Sequence, residues 1–484
     1  MQAALAALPL GVVLAAMVLR RWPAAWAGAA GLAVAVAVWA GLGLPGGAVV
    51  LAGAGAEALS GTLVILWIIL PALTIYEVQR RAGALERIRA ALAALSGERA
   101  VQALLIAWFF GLFMEGAAGF GTPVALAAPL LVGLGYGPVR AVAMALLGHA
   151  AGVSFGAVGT PAVAQVAVLG LDGAALALVT VGLHTVPAFG LALAVMRLAS
   201  PGGMTGRELR LALLAAVCFT VPALALAALA GPELPTLGGA LIGGAAFVVL
   251  ACGRGARLNG WQLADLLPYL LIVALVLATR LIGPVQAALS ELWLGWEWGA
   301  FRGGLAPLYH PGTLLALGLV GAALTTGRAA LLAPAVGSAL RRLLPVALAL
   351  LVMLALARLM VHGGLIAALA GAAAGAGPFW PLLAPLIGVL GTFVTGSATA
   401  SNILFTDFQA ATARALDLPV LAMAAAQGAG AAIGNAVAPH NIIAGAATVG
   451  LQGRDGEVLA RTLLPVLAYA GALGVCAFVL AALL

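Results

Sequence analysis

Apolar residues in this chain come in long runs that polar residues only punctuate. The runs at 63–73, 211–230, 267–278 and 343–360 each sit within a stretch of about 20 residues, the length a helix needs to cross a bilayer. The pattern repeats along the whole chain and predicts an all-α polytopic membrane protein of about 12–14 transmembrane helices. Two segments break the pattern, 113–161 and 390–441, where Gly, Pro, Ser, Thr and Asn mix with the apolar residues. Backbone amides left unpaired in hydrocarbon cost several kcal/mol each, so a helix broken there must face protein or water. Both segments are therefore expected to be broken or re-entrant helices.

The two segments also match at a constant offset. Adding 278 carries Pro161 to Pro439, Gly156 to Gly434, His149 to Gln427, and the stretch from Gly119 to the stretch from Ser397. Low-complexity Ala/Gly sequence produces such matches by chance, so the repeat is a suggestion. Taken at face value, it divides the chain into halves at 1–205 and 206–484, each with one interrupted motif. Two inverted repeats of this kind are a common plan among secondary transporters.

Composition and charge change the picture little. Hydrophobic residues make up 64% of 484, against 8% charged, too little polar surface to cover a soluble core of that size. All 22 basic residues are arginine, which reads as genome base composition rather than function. They cluster at Arg20 and Arg21, in 77–99, around 197–210, at Arg254 and Arg257, and around 328–342. Placing these clusters on the cytoplasmic side puts the N-terminus outside. The protein is expected to be a multi-pass protein of a bacterial inner membrane, with no cleaved signal peptide and no affinity for nucleic acid. The segment 77–99 reads as a helix lying on the inner surface, and the loop ELWLGWEWGAF places Trp293, Trp296 and Trp298 at the opposite interface. Cys218, Cys252 and Cys476 are scattered, and the five histidines show no metal spacing, so no metal and no cofactor are expected.

The candidate chemistry lies in the interruptions. Gly119 and Gly121 let the backbone approach a ligand, Thr122 suits an N-cap and Pro123 a first helical turn. In the second half Thr395, Gly396, Ser397, Thr399, Ser401 and Asn402 supply hydroxyls and an amide. Helix N-termini exposed at such breaks can hold a carboxylate. Close packing of small residues is the alternative for any single glycine. Glu115 stands one turn before the first break, and a charge at mid-membrane is a functional candidate by default. It is the first candidate for carrying a coupling proton, the alternative being a carboxylate that caps loop amides. Arg280 and Arg358 read as snorkelling side chains near helix ends, or as a counter-charge to Glu115 or to a bound anion. His149 and His440 stand out because they lie in the two motifs.

The stretches FMEGAAGFGTPVALAAPLLVGLGYGP, GHAAGVSFGAVGTPA, LGTFVTGSATASNILFTDFQ and GAAIGNAVAPHNIIAGAATVGLQGRDGEV, in this order and spacing, resemble the lactate permease family. That family comprises bacterial importers of lactate and glycolate described as proton symporters. It is grouped with a wider superfamily in which inverted repeats carry re-entrant hairpins and a transport domain moves against a scaffold. The resemblance implies that Gly119, Phe120, Gly121, Thr122 and Pro123, with Thr395, Gly396, Ser397, Thr399, Ser401 and Asn402, bind a small organic monocarboxylate. It places His149, Gln427, Asn435, His440 and Asn441 around the same pocket. Glu115, then His149 or His440, become the proton-coupling candidates, with the proton as second partner. Two departures matter. Ala398 stands where the family has an acid and Asn435 where it has a lysine, which suggests a buried ion pair replaced by neutral groups. Sodium coupling or a different organic anion therefore stays open, and a homodimer is compatible with the plan. An integral membrane enzyme would need a convergent nucleophile or metal motif, and the five aspartates are dispersed. A channel would not accumulate substrate. The expectation is a transporter and no enzyme.

Overall fold

The computed structural model describes residues 2–20, 22–43, 47–119, 121–200, 202–252, 262–451 and 453–483. Phe120, Arg21, Arg254 and Arg257 lie outside the described residues. Among those described, 13 helices are long and apolar enough to cross a membrane, within the expected range. Most carry their leucines and valines all round, because lipid covers whatever face the protein does not.

Two of the interruptions are helical hairpins. Arg99–Ala117 runs inward, its middle turn widened to a π-helix over Leu104–Phe110, and Thr122–Gly133 runs back. Just beyond, the Tyr136 hydroxyl donates to the Arg99 carbonyl (3.1 Å), so the second arm ends where the first began. Trp380–Thr395 and Ala398–Ala415 form the second hairpin. Here the Trp380 indole N–H donates to Gln409 Oε1 (2.9 Å), Gln409 Nε2 to the Ala384 carbonyl (3.1 Å), and Ser401 Oγ to the Gly388 carbonyl (3.0 Å). Each hairpin is followed by a broken spanning helix. The first covers Pro138–Ala150, a short 3-10 turn and Gly156–Leu169, and the second Val420–Gly434 and Pro439–Thr448.

Apolar packing falls into two large clusters. One joins Gln2–Arg20, Ala24–Gly41, Gly47–Arg81, Leu332–His362 and Leu365–Ala373. The other holds the first hairpin, both broken helices and most of the remaining helices. They meet where Ile403, Leu404 and Phe405 of the second hairpin and Ala164 of the first broken helix pack into the smaller cluster.

Two surface expectations need revision. Within 77–99, residues 77–81 belong to the helix Gly47–Arg81 and a separate short helix covers Ala84–Ala94, held by charge as well as by apolar burial. Arg87 donates to both carboxylate oxygens of Asp265 (2.9 and 2.5 Å), which also takes a hydrogen bond from Arg328 (2.7 Å). The tryptophan-rich loop folds as a two-stranded hairpin, Leu294–Trp298 against Phe301–Leu305, with Phe301 buried over Gly53. Period-two alternation over five residues is too short to separate from a loop by eye.

Candidate functional site

The hairpin tips are built from glycine. The first hairpin turns at Gly119 (φ +57°) and Gly121 (φ +78°), left-handed conformations that side chains resist. Gly121 is the N-cap of the returning arm, and Thr122, expected to cap, is already its first helical residue. Its hydroxyl turns back to donate to the Gly119 carbonyl (2.8 Å). The sharp glycine turn brings Thr122 into the helix one residue early. In the second hairpin Gly396 (φ +70°) makes the turn, and Ser397 caps the returning arm by accepting the Ala400 amide (3.3 Å). Thr395 donates to the Gly391 carbonyl (2.7 Å).

The broken helices differ in how they break. In the first, Ala157 (φ 44°), Val158 (φ 54°) and Gly159 (φ 86°) form a left-handed turn, closed by the Thr160 hydroxyl on the Ala157 carbonyl (2.7 Å). In the second, Asn435–Ala438 make an ordinary turn before Pro439 restarts the helix. Both restarts place proline in the first helical turn or beside it.

All four interruptions meet. A β-carbon on Gly119 would lie 3.3 Å from that of Ala157, and one on Gly121 would lie 3.8 Å from Asn441 Oδ1. One on Gly396 would lie 3.1 Å from the β-carbon of His440. Asn402 Nδ2 donates to the Pro161 carbonyl (3.1 Å). Each hairpin tip thus touches a break, and four helix N-termini (at Thr122, Thr160, Ala398 and Pro439) start around one centre. Gly121, Gly396, Ser397 and Asn435 are partly exposed there and His440 is exposed.

The polar side chains sort into two sets. Glu115 is buried just behind the first tip. Its Oε2 lies 3.9 Å from His149 Nε2, and its Oε1 fills the space that a side chain on Gly156 would need, 2.1 Å from the ideal β-carbon. His149 Nδ1 is 2.6 Å from the Ala145 carbonyl, which can only accept, so Nδ1 carries the proton and Nε2 faces Glu115 with its lone pair. The Asn435 side chain lies beside the same imidazole. Asn441 Nδ2 donates to the Asn435 carbonyl (3.2 Å), and His440 Nδ1 lies 3.2 Å from Asn441 Oδ1. Residues from both motifs therefore share one neighbourhood. Thr399 is buried beside the second tip, and Pro123 in the first turn of its arm.

Gln427 and Ser401 are placed differently. Gln427 is fully buried, takes a hydrogen bond from Gln409 (3.1 Å) and gives one to Ser401 (3.3 Å), so both ends of its amide serve the seam between hairpin and broken helix. Two members of this seam went unnoticed in the sequence, Gln409 and Gln165. Gln165 donates to Thr406 Oγ1 (3.1 Å) and to the Ala424 carbonyl (2.7 Å). The signal was available, because each is an amide inside a helix otherwise free to be apolar. Asn402 Oδ1 and Thr392 Oγ1, both buried, have no hydrogen-bond partner among the described residues.

Neither arginine snorkels, and neither faces Glu115. Arg358 is ion-paired with Asp407 of the second hairpin, and Arg280 with Glu233 (2.6 Å). Each pair is mostly buried, and a buried cation is held where an acid can meet it.

The family model described as L-lactate permease matches residues 2–253 and 305–484. An L-lactate permease of Salmonella typhimurium is 28% identical over 451 residues, covering 82% of this chain and 81% of the relative. The glycolate permease GlcA of Escherichia coli K12 is 27% identical over 488 residues, covering 88% and 86%. Among solved structures, the YdaH transporter of Alcanivorax borkumensis superposes with a TM-score of 0.51 at 15% identity, over 89% of this chain and 86% of that one. At that identity the likeness concerns the fold.

Proposed function

This chain belongs to the L-lactate permease family, and from that premise we propose that it imports lactate- or glycolate-type 2-hydroxymonocarboxylates by proton symport. The observation that carries the reading is the meeting of four helix N-termini around partly exposed glycines, with a buried carboxylate directly behind them. Free amides and the positive ends of helix dipoles suit a carboxylate. In this reading the substrate carboxylate sits between Gly119–Pro123 and Ser397–Asn402. Asn402 Oδ1, a buried acceptor without a donor, suits the substrate's 2-hydroxyl, because an unmatched acceptor costs about 1–3 kcal/mol until a donor arrives.

Glu115 carries the proton. A carboxylate at mid-membrane costs about 2.5–3.5 kcal/mol on insertion scales, and protonation removes the charge. His149 Nε2, with its lone pair towards Glu115, is the next acceptor in line. The names of the relatives support the substrate class, and the absence of an acid at Ala398 leaves Glu115 as the carboxyl group nearest the breaks on the first-half side.

The test is uptake of labelled lactate into proteoliposomes under an imposed pH gradient, with and without a sodium gradient. Accumulation against the lactate gradient driven by pH alone is expected. Accumulation that needs sodium, or equilibration without accumulation, overturns proton symport.

A further inference from the structure

Three buried polar side chains that the proposed function does not use form a chain joining four elements. Ser154 lies in the 3-10 turn Ala151–Phe155 of the first broken helix, His184 in Gly173–Ala199 and Tyr469 in Asp455–Leu483. The Ser154 hydroxyl donates to the Gly428 carbonyl of the second broken helix (3.3 Å). Its oxygen lies 2.8 Å from His184 Nε2, and His184 Nδ1 lies 2.7 Å from the Tyr469 hydroxyl.

The direction of the chain follows from its end. A backbone carbonyl only accepts, and Ser154 has one hydrogen to give it, so the Ser154 oxygen must accept from His184. Nε2 then carries a hydrogen and Nδ1 a lone pair, which takes the Tyr469 hydrogen. Every hydrogen in the chain has a place this way. Run in the opposite sense, the chain would leave the Tyr469 hydrogen without an acceptor among the described residues. A second hydrogen on the ring would do the same, and no acid pairs with His184 among the described residues. Cys476, a further titratable group near Tyr469, lies two turns along the same helix. The ring of His184 is therefore neutral, and its chain closes on a group that takes no proton. His149 differs, because its free lone pair faces Glu115.

The chain ties the two broken helices together directly behind the candidate site. Two residues on from Ser154, Glu115 Oε1 fills the space that a side chain on Gly156 would need. The same turn is also held by Thr236, which donates to the Gly152 carbonyl (2.7 Å). Gly428 follows Gln427 of the seam, and Gln165 Oε1 fills the space that a side chain on Gly428 would need. A shift of one broken helix along the other would thus stretch the Ser154–Gly428 bond and disturb the packing around Glu115 together.

We propose that Ser154, His184 and Tyr469 form a one-way hydrogen-bond joint that fixes the two broken helices against each other and so sets the geometry behind the hairpin tips. The three are positioning residues, which touch no substrate and pass no proton.

His184→Gln and His184→Leu test the joint. Glutamine offers an acceptor and amide hydrogens without titrating, whereas leucine offers neither and strands the buried Tyr469 hydroxyl. In transport, which rests on the proposed function, the glutamine variant is expected to keep pH-driven accumulation and a lactate KM within about threefold of the parent. The leucine variant is expected to raise KM about tenfold with Vmax nearly unchanged. Equal loss of accumulation in both variants would make His184 a proton carrier and overturn the proposal, as would a leucine variant with the parent KM. If the leucine variant does not fold, Ser154→Ala takes its place under the same KM criterion. Two readouts need no transport. The 15N spectrum of labelled imidazoles, with His184 assigned by its absence in the glutamine variant, should show a neutral ring with its hydrogen on Nε2 at both ends of the range from about pH 5 to pH 8. A charged ring, or a hydrogen on Nδ1, overturns the joint. The leucine variant should also lower Tm by a few degrees and the glutamine variant by less than half as much, and equal losses overturn it too. A parent that moves no lactate would remove the proposed function and leave these two readouts to decide the joint.

Discussion

The two interrupted regions share a plan and divide the chemistry. Each has a hairpin with a glycine tip followed by a broken helix, and their breaks coincide at the 278-residue offset: Gly119 with Ser397, Gly156 with Gly434, Pro161 with Pro439. The first region has a buried acid and imidazole behind its tip and a strained left-handed turn in its helix. The second has hydroxyls and amides, a single left-handed glycine at its tip, and a relaxed turn in its helix. The same backbone solution thus puts a buried carboxyl group and imidazole directly behind the tip in one half and hydroxyl and amide hydrogen bonding in the other, where Asp407 is paired with Arg358 and His440 is exposed. On the proposed function, coupling is a property of the first region, and recognition is shared by both.

The sharpest way to break that division is Glu115→Gln. Net uptake driven by a pH gradient is expected to vanish, while exchange of external labelled lactate for internal lactate continues. Full pH-driven accumulation in this variant would clear Glu115 of the proton role. Next comes Gly156→Ala against Gly434→Ala. A methyl at Gly156 would meet the Glu115 carboxylate at 2.1 Å, whereas one at Gly434 would meet the Val389 carbonyl at 2.8 Å. The first change should abolish pH-driven uptake. The second should cost about 1–3 kcal/mol by overpacking and leave coupling intact, as read from unfolding and uptake side by side. Equal transport defects would erase the asymmetry.

A smaller effect is expected at Ala398 and Asn435, where the family resemblance implies an acid and a lysine. Ala398 packs with Ala431 and Ala432, one turn before Asn435 on the same helix. Ala398→Asp together with Asn435→Lys should transport better than either single change, because one buried charge without the other is strongly destabilising. If both single variants behave like the parent, no ion pair was replaced there. The mildest test is Gln427→Leu, which removes one hydrogen bond each from Gln409 and Ser401. It should cost about 1–3 kcal/mol of stability with the lactate KM little changed. A large rise in KM would move Gln427 from the seam to the substrate.

Much of this was legible in one dimension. Spanning helices follow from runs of about 20 apolar residues, because a bilayer admits few alternatives. The positions of the breaks follow from Gly119, Gly121, Gly396 and the prolines at 123, 161 and 439, since glycine and proline act on the backbone locally. Glu115 stood out because a lone acid in an apolar run has few ordinary explanations. The partners of Arg280 and Arg358 were not legible. Glu233 and Asp407 lie 47 and 49 residues away in the chain, and ion pairing depends on distance through space. The same holds for the seam of Gln165, Gln409 and Gln427, where an amide shows its partner only once two helices are packed. What the sequence by itself determined was where the helices run and where they must stop, because those are local properties of each segment in lipid. Which stopped ends face one another, and whether a polar residue looks into the shared centre or into a seam, was decided only by tertiary packing, because hydrogen bonds and charges are satisfied between segments far apart in the chain.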